Sequence, residues 1–226
     1  MTELERKTKS SMQVAILLFD EVEVLDFAGP FEVFGVTRTP SGEAAYEVVT
    51  VSPGETGIRT RNGLRVTPDA GITTLKADVL VVPGGQGTRA LLSDPRVHRF
   101  LCESQAHVAV TLSVCTGALL LASAGLLRDM GATTHVDALD ELRTIDPSIE
   151  IFPLARVVDN GRILTSAGVS AGIDAALYLV SRLSGPAVAA ETARYMQYDW
   201  RCRCLDGETI VTPARRHSQD QSWSGQ

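Results

Sequence analysis

The sequence predicts an α/β protein, a doubly wound parallel sheet with helices on both faces. Three observations carry this. Short β-branched apolar runs alternate with helix-patterned segments along the chain. Several of those runs are apolar without alternation, as strands buried on both faces are. The longest uncharged stretch, 108–127 (VAVTLSVCTGALLLASAGLL), changes character midway, from Val/Thr-rich to Ala/Leu-rich. Val and Thr suit a pleated strand, whereas Ala and Leu are good helix formers.

The elements follow in order. Residues 1–11 are polar and expected to fray. Residues 12–19 (MQVAILLF) form the first central strand. Pro30 suits the first turn of a helix carrying Phe31, Val33 and Phe34, which leaves Asp26 between strand and helix. Residues 46–52 form a second strand. Asn62-Gly63 and Asn160-Gly161 each centre a hairpin, over 58–67 and 157–166. Residues 77–82 (ADVLVV) form a buried strand running into Pro83-Gly84-Gly85-Gln86-Gly87. Ser93 or Asp94, with Pro95, opens a helix to about Ala106. A strand over 108–113 turns sharply into a helix from about Thr116. A short strand 131–135 precedes a helix over 136–145. Ser170 caps a helix ended by Gly185, and a last helix spans 186–198. The folded domain is expected over 12–199, with 200–226 a polar tail whose last stretch, RRHSQDQSWSGQ, reads as disordered.

Composition narrows the function classes. With 44% hydrophobic and 21% charged residues the chain is that of a soluble globular protein. A net charge of −6 argues against a nucleic-acid partner. The uncharged stretch is long enough to cross a bilayer. Its Ser, Thr and Gly content and its change of periodicity favour a buried strand and helix instead, so no membrane association is expected. The charged N-terminus lacks a signal-peptide core, and the four cysteines have no framework spacing; a reducing, cytoplasmic location is the expectation.

Cys115 sits on the strand-to-helix turn, with Ser113 and Gly117 two residues to either side. That is the pattern of a nucleophile elbow with Cys as nucleophile. A thiol at a helix N-terminus meets free N–H groups and the positive dipole end, which favours thiolate and would make Cys115 the most reactive of the four cysteines. The alternative is an inert core cysteine. In doubly wound sheets the ligand crevice lies at the carboxyl ends of the strands. Asp26, Gly84-Gly85, Cys115-Thr116 and Gly168 all fall there, offering an acid/base, glycine-exposed N–H groups and a nucleophile. Asp26 could equally be an acid that merely complements a helix dipole. His135 divides evenly between a pocket role and a structural one.

Other signals are weaker. Gly85-x-Gly87-x-x-Ala90 fits a dinucleotide pattern, but the acid expected about 20 residues on is absent. Cys202-Arg203-Cys204 lacks zinc spacing, and His98, His107 and His217 have no ligand-spaced partners, so no metal site is expected.

Together SVCTGALLLASAGLL, LDFAGP, VVPGGQG, GATTH and SAGVSAGID resemble the ThiJ/PfpI superfamily, a glutamine-amidotransferase-like domain, from about Met12 to Tyr198. Within it the chain looks most like isonitrile hydratases and the sensor domains of AraC-type regulators. The resemblance implies a flavodoxin-like sandwich, a homodimer, and Cys115 as nucleophile beside the carboxylate of Asp26. It implies backbone N–H donation from Gly85 and Thr116, a small-molecule substrate and no cofactor. The implied reaction hydrates an isocyanide to an N-substituted formamide. The alternatives are a glyoxalase or deglycase acting on methylglyoxal-type carbonyls, and a ligand- or redox-sensing domain. The chain departs from PfpI-type proteases, which have His where Thr116 stands, and from amidotransferases, whose late His and Glu have no match. Relatives often carry an aromatic at Val136 and glycines at Ser166-Ala167. Only 28 residues follow Tyr198, too few for the paired helix-turn-helix units of an AraC-type regulator.

Overall fold

The computed structural model describes residues 11–54, 56–72, 77–200 and 210–213. In chain order the strands are β1 (Met12–Leu17), β2 (Tyr46–Ser52), β3 (Ile58–Arg59), β4 (Arg65–Val66), β5 (Ala70–Gly71), β6 (Val79–Val82), β7 (Val110–Val114), β8 (Gly131–Ala132), β9 (Glu150–Ile151), β10 (Val157–Asp159), β11 (Ile163–Ser166) and β12 (Ile210–Val211). The helices are α1 (Val24–Val36), α2 (Thr88–Leu91), α3 (Pro95–Ser104), α4 (Gly117–Ser123), α5 (Leu139–Ile145), α6 (Ala171–Ser184) and α7 (Pro186–Tyr195).

Eight strands form the main sheet in the order β12-β10-β11-β7-β6-β1-β2-β5. Every pairing is parallel except β10 with β11, which run antiparallel through the Asn160-Gly161 turn. The expected doubly wound parallel sheet thus carries the expected hairpin near one edge, because a two-residue turn can only join antiparallel neighbours. Helices α1, α6 and α7 pack together as one group, and α4 packs with α2, α3 and α5 as another. At the centre, β7 is buried along its whole length, as are all four residues of β6. That double-sided burial is why these runs show no alternation.

The hairpins sit where the Asn-Gly pairs put them: Gly63 and Gly161 both have φ of 88°. Asp94 caps α3 by accepting the Arg96 N–H at 2.8 Å, and Pro95 fills the first helical position. Gly185, at φ 96°, ends α6.

Some expectations are corrected. The first helix starts at Val24, not near Pro30, so Asp26 lies in its first turn and Pro30 is inside it. The expected strand 131–135 is only two residues long, and the helix after it is split between a 3₁₀ turn, Val136–Ala138, and α5. The last helix stops at Tyr195; Gln197 has φ 51°, which no helix continues. Beyond residue 200, β12 adds to the edge of β10. The uncharged stretch divides into β7 and α4, and among the described residues no helix is long and apolar enough to cross a membrane.

Candidate active site

The carboxyl ends of β6, β7 and β1 converge on one buried pair, Asp26 and Cys115. Cys115 stands between the last residue of β7 and the start of α4 with φ 56°, a left-handed conformation for a residue with a side chain. Three contacts hold it there. Its N–H donates to the carbonyls of Ser166 and Ala167 (3.1 and 3.2 Å), and its carbonyl accepts the Thr134 hydroxyl at 2.8 Å. The turn also needs Gly117, where a Cβ would lie 2.0 Å from the Val82 carbonyl oxygen. Strained backbone that its surroundings over-determine in this way is a mark of functional sites.

Asp26 comes from the first turn of α1 and is fully buried. Its Oδ2 accepts the Gly84 N–H at 3.0 Å. The carboxyl also faces the Cys115 thiol and the Val169 N–H, yet Oδ1 makes no hydrogen bond of ordinary geometry. Gly84 is wedged between the partners: a Cβ there would lie 2.5 Å from the Thr116 nitrogen and 2.9 Å from Asp26 Oδ2. Only glycine fits.

The electrostatics of the pair follow from burial. Desolvation pushes the Asp26 carboxyl up from 3.8 to about 7; the Gly84 N–H and the thiol pull the other way, and nearby Glu23 adds to the rise. The Cys115 thiol is pushed up to about 12, first by desolvation and then by the Asp26 charge, against the N–H groups of Thr116 and Val169. The expectation of a dipole-stabilised thiolate is thus overturned. Helix α4 is only seven residues long, and its field is outweighed by the loss of water and a neighbouring carboxylate. Near neutral pH the pair behaves as one unit that carries a single negative charge above about pH 7, with one proton between sulfur and oxygen.

The other candidates divide. The Thr116 N–H faces the sulfur. Gly85 does not: its N–H is taken by the Thr116 hydroxyl at 2.9 Å, and that hydroxyl also donates to the Gly85 carbonyl at 3.1 Å. The second donor is instead Val169, which the sequence reading missed; at φ 50° it turns its N–H toward both carboxyl and thiol. A positive φ at a β-branched residue has no signature in a sequence. Gly168, just before it, lets the His135 ring lie close; a Cβ there would be 2.4 Å from His135 Cδ2. His135 itself caps the 3₁₀ turn, its Nδ1 accepting the Asp137 N–H at 3.2 Å, so the ring borders the site while serving the backbone. Among the described residues no group of three or more His, Cys, Asp or Glu is placed to hold a metal. Cys202 and Cys204 lie outside the described residues.

The chain is similar to known proteins. The chain is 33% identical over 189 residues to isonitrile hydratase of Pseudomonas putida, covering 83% of this chain and 77% of that protein. It is 28% identical over 195 residues to the HTH-type transcriptional regulator GbdR of Pseudomonas aeruginosa, spanning 85% of this chain but about half (52%) of the regulator's length. The crystal structure of a ThiJ/PfpI family protein from Pseudomonas syringae superimposes with a TM-score of 0.75 at 30% identity, covering 89% of this chain and 81% of that one. The model of the DJ-1/PfpI family matches residues 12–182, and with the fold and the elbow in place the chain belongs to that family.

Proposed function

We propose that the protein hydrates isonitriles to N-substituted formamides, with Cys115 as nucleophile and Asp26 as proton carrier. The observation that carries this reading is the buried Asp26–Cys115 pair, in which a carboxyl pushed up to about 7 is the acid/base that faces the thiol. The 33% identity to an isonitrile hydratase supports the choice of substrate.

An isocyanide, R–N≡C, accepts a nucleophile and a proton at the same carbon, so one thiol and one carboxyl suffice. In the singly charged pair, Asp26 takes the thiol proton as sulfur attacks the terminal carbon. Asp26 then passes that proton to the carbon, giving the thioimidate Cys–S–CH=N–R. The N–H groups of Thr116 and Val169 stabilise negative charge on sulfur. Water adds to the imidate carbon as Asp26 takes one of its protons and passes it to the nitrogen. The C–S bond then breaks as the C=O bond forms, the remaining hydroxyl proton goes by way of Asp26 to sulfur, and HC(=O)–NH–R leaves. One water is consumed per isocyanide, without metal or organic cofactor.

Incubating the protein with an alkyl isocyanide tests this. The expected result is formamide by mass spectrometry, none from Cys115→Ala, and a transient Cys115 adduct of the mass of the isocyanide. Consumption of methylglyoxal with no formamide would overturn it in favour of a carbonyl-directed enzyme. We further propose a cytoplasmic homodimer; light scattering at micromolar protein is expected to give twice the 24.2 kDa of the chain, and a value of one chain mass would refute the dimer.

A further inference from the structure

One ion pair stands directly behind the site. Arg89, on the four-residue helix α2, meets Glu141 of α5 in a fork, Nε to Oε1 at 3.1 Å and Nη2 to Oε2 at 2.5 Å. Both side chains are about one-third exposed, so as a surface pair alone it would contribute little to stability. Its remaining nitrogen does something else. Nη1 of Arg89 reaches the Gly85 carbonyl and the Thr88 hydroxyl, both at 3.3 Å.

The Gly85 carbonyl is a crowded acceptor. The Thr88 hydroxyl donates to it at 2.9 Å and the Thr116 hydroxyl at 3.1 Å. A carbonyl oxygen has two lone pairs, so two donors satisfy it; the Thr88 N–H, at 3.3 Å, is a third and the guanidinium a fourth. Satisfaction of the acceptor therefore does not explain Arg89. Location does. Gly85 follows Gly84, whose N–H holds Asp26, and its own N–H is bound by Thr116, whose backbone N–H faces the sulfur. The Gly84-Gly85 loop is thus the mechanical link between acid and thiol. Helix α2 has only four residues; its own bonds to the loop are those of the Thr88 N–H and hydroxyl on the Gly85 carbonyl, and Arg89 adds a contact from the next residue.

We propose that Arg89, held in place by Glu141, is a positioning residue for the Asp26–Cys115 pair, acting through the Gly85 carbonyl and the Thr88 and Thr116 hydroxyls. Glu141 lies on the helix that follows His135, so the fork also joins the two segments that flank the elbow, α2 and α5. The other charged group felt by Asp26 is Glu23, which is paired with Arg61 at 3.5 Å and has no contact with Arg89 among those described.

The test is the pH profile of Cys115 alkylation by iodoacetamide, read by peptide mapping, in wild type, Arg89→Gln, Arg89→Lys and Glu141→Gln, with Tm on each sample. This readout needs no substrate, so it stands if the isonitrile reading fails; only the turnover arm rests on that reading. Arg89→Gln is expected to change the plateau rate of alkylation by about threefold or more, or to shift its midpoint by about half a pH unit or more, and to lower isocyanide turnover about 10–100-fold, as small misplacements do. Arg89→Lys should recover part of the loss, and Glu141→Gln should move the profile in the same direction by less. Tm should change by only about 2–4 °C. Should Arg89→Gln fail to fold, Glu141→Gln decides alone. A wild-type alkylation profile in Glu141→Gln, or a profile that follows Tm loss with no recovery by Arg89→Lys, overturns the proposal.

Discussion

Replacing Asp26 by Asn is expected to make the protein more stable and less active. The buried carboxyl is raised from 3.8 to about 7, so between those values the folded state holds a proton that the unfolded state has released. Stability therefore falls as pH rises through that window, and the loss is complete above about pH 7. At 1.36 kcal/mol per pKa unit the buried charge costs about 4 kcal/mol at pH 8. Asn carries no charge and can still accept the Gly84 N–H, but its amide brings a buried donor facing the thiol, which returns about 1–3 kcal/mol of cost. The net gain is about 1–3 kcal/mol at pH 8, or about 3–10 °C in Tm. It should shrink as pH drops toward 4, where wild type also holds its proton on both sides of the equilibrium. Turnover should fall about 10²–10⁴-fold, because the amide cannot carry the proton. The assay is a pair of melting curves at pH 5 and pH 8 with steady-state rates on the same samples. An acid that merely complements the α1 dipole gives the opposite sign, a loss of about 0.3–1 kcal/mol at pH 8 with turnover intact. That result would refute the mechanism.

Three further outcomes are expected. The rate of Cys115 alkylation in wild type should rise through about pH 7 and then level, because the pair loses its first proton there; in Asp26→Asn no plateau should appear in that range. Gly84→Ala should lose activity and about 1–3 kcal/mol of stability, since the added Cβ meets the Thr116 nitrogen and Asp26 Oδ2; denaturant melts and turnover check it. Thr134→Val removes the hydroxyl that holds the Cys115 carbonyl and leaves that acceptor only the longer bond from the Ala118 N–H, at a cost of about 0.5–1.5 kcal/mol, again read from denaturant melts.

Much of the framework is legible in the sequence because it rests on local rules. Strand β2 runs from Tyr46 to Ser52 as its β-branched run indicates, and both Asn-Gly turns make hairpins because their glycines must take positive φ. The elbow is legible for the same reason: small residues flank Cys115 where strand and helix must pass closely. What escapes is non-local. Strands β5 and β9 have two residues each, too few to show any period. Pro30 reads as a helix start, yet packing continues α1 a turn and a half earlier and so carries Asp26 into the helix. The sign of the thiol's shift depends on how much water is excluded, and the identity of the second N–H donor on the strained φ of Val169. The Thr116 side chain turns back on the Gly85 peptide, and no spacing rule anticipates that it withdraws the very N–H group that the motif offers.

Strand β12 gives the segment beyond residue 200 a protective role. Without it β10 would be the sheet's edge, a run of Val157 and Val158 with open backbone groups of the kind that recruits other chains into fibres. Ile210 and Val211 occupy that edge in parallel register, and Pro213 seats on Gly131 at the start of β8, two residues before Thr133 and three before the Thr134 that holds the elbow. A protease cut near residue 205 would therefore do two things at once. It would open a strand edge to neighbouring molecules, and it would take away the side chain that packs on Gly131, at the start of the segment that leads to Thr134 and its bond to the Cys115 carbonyl.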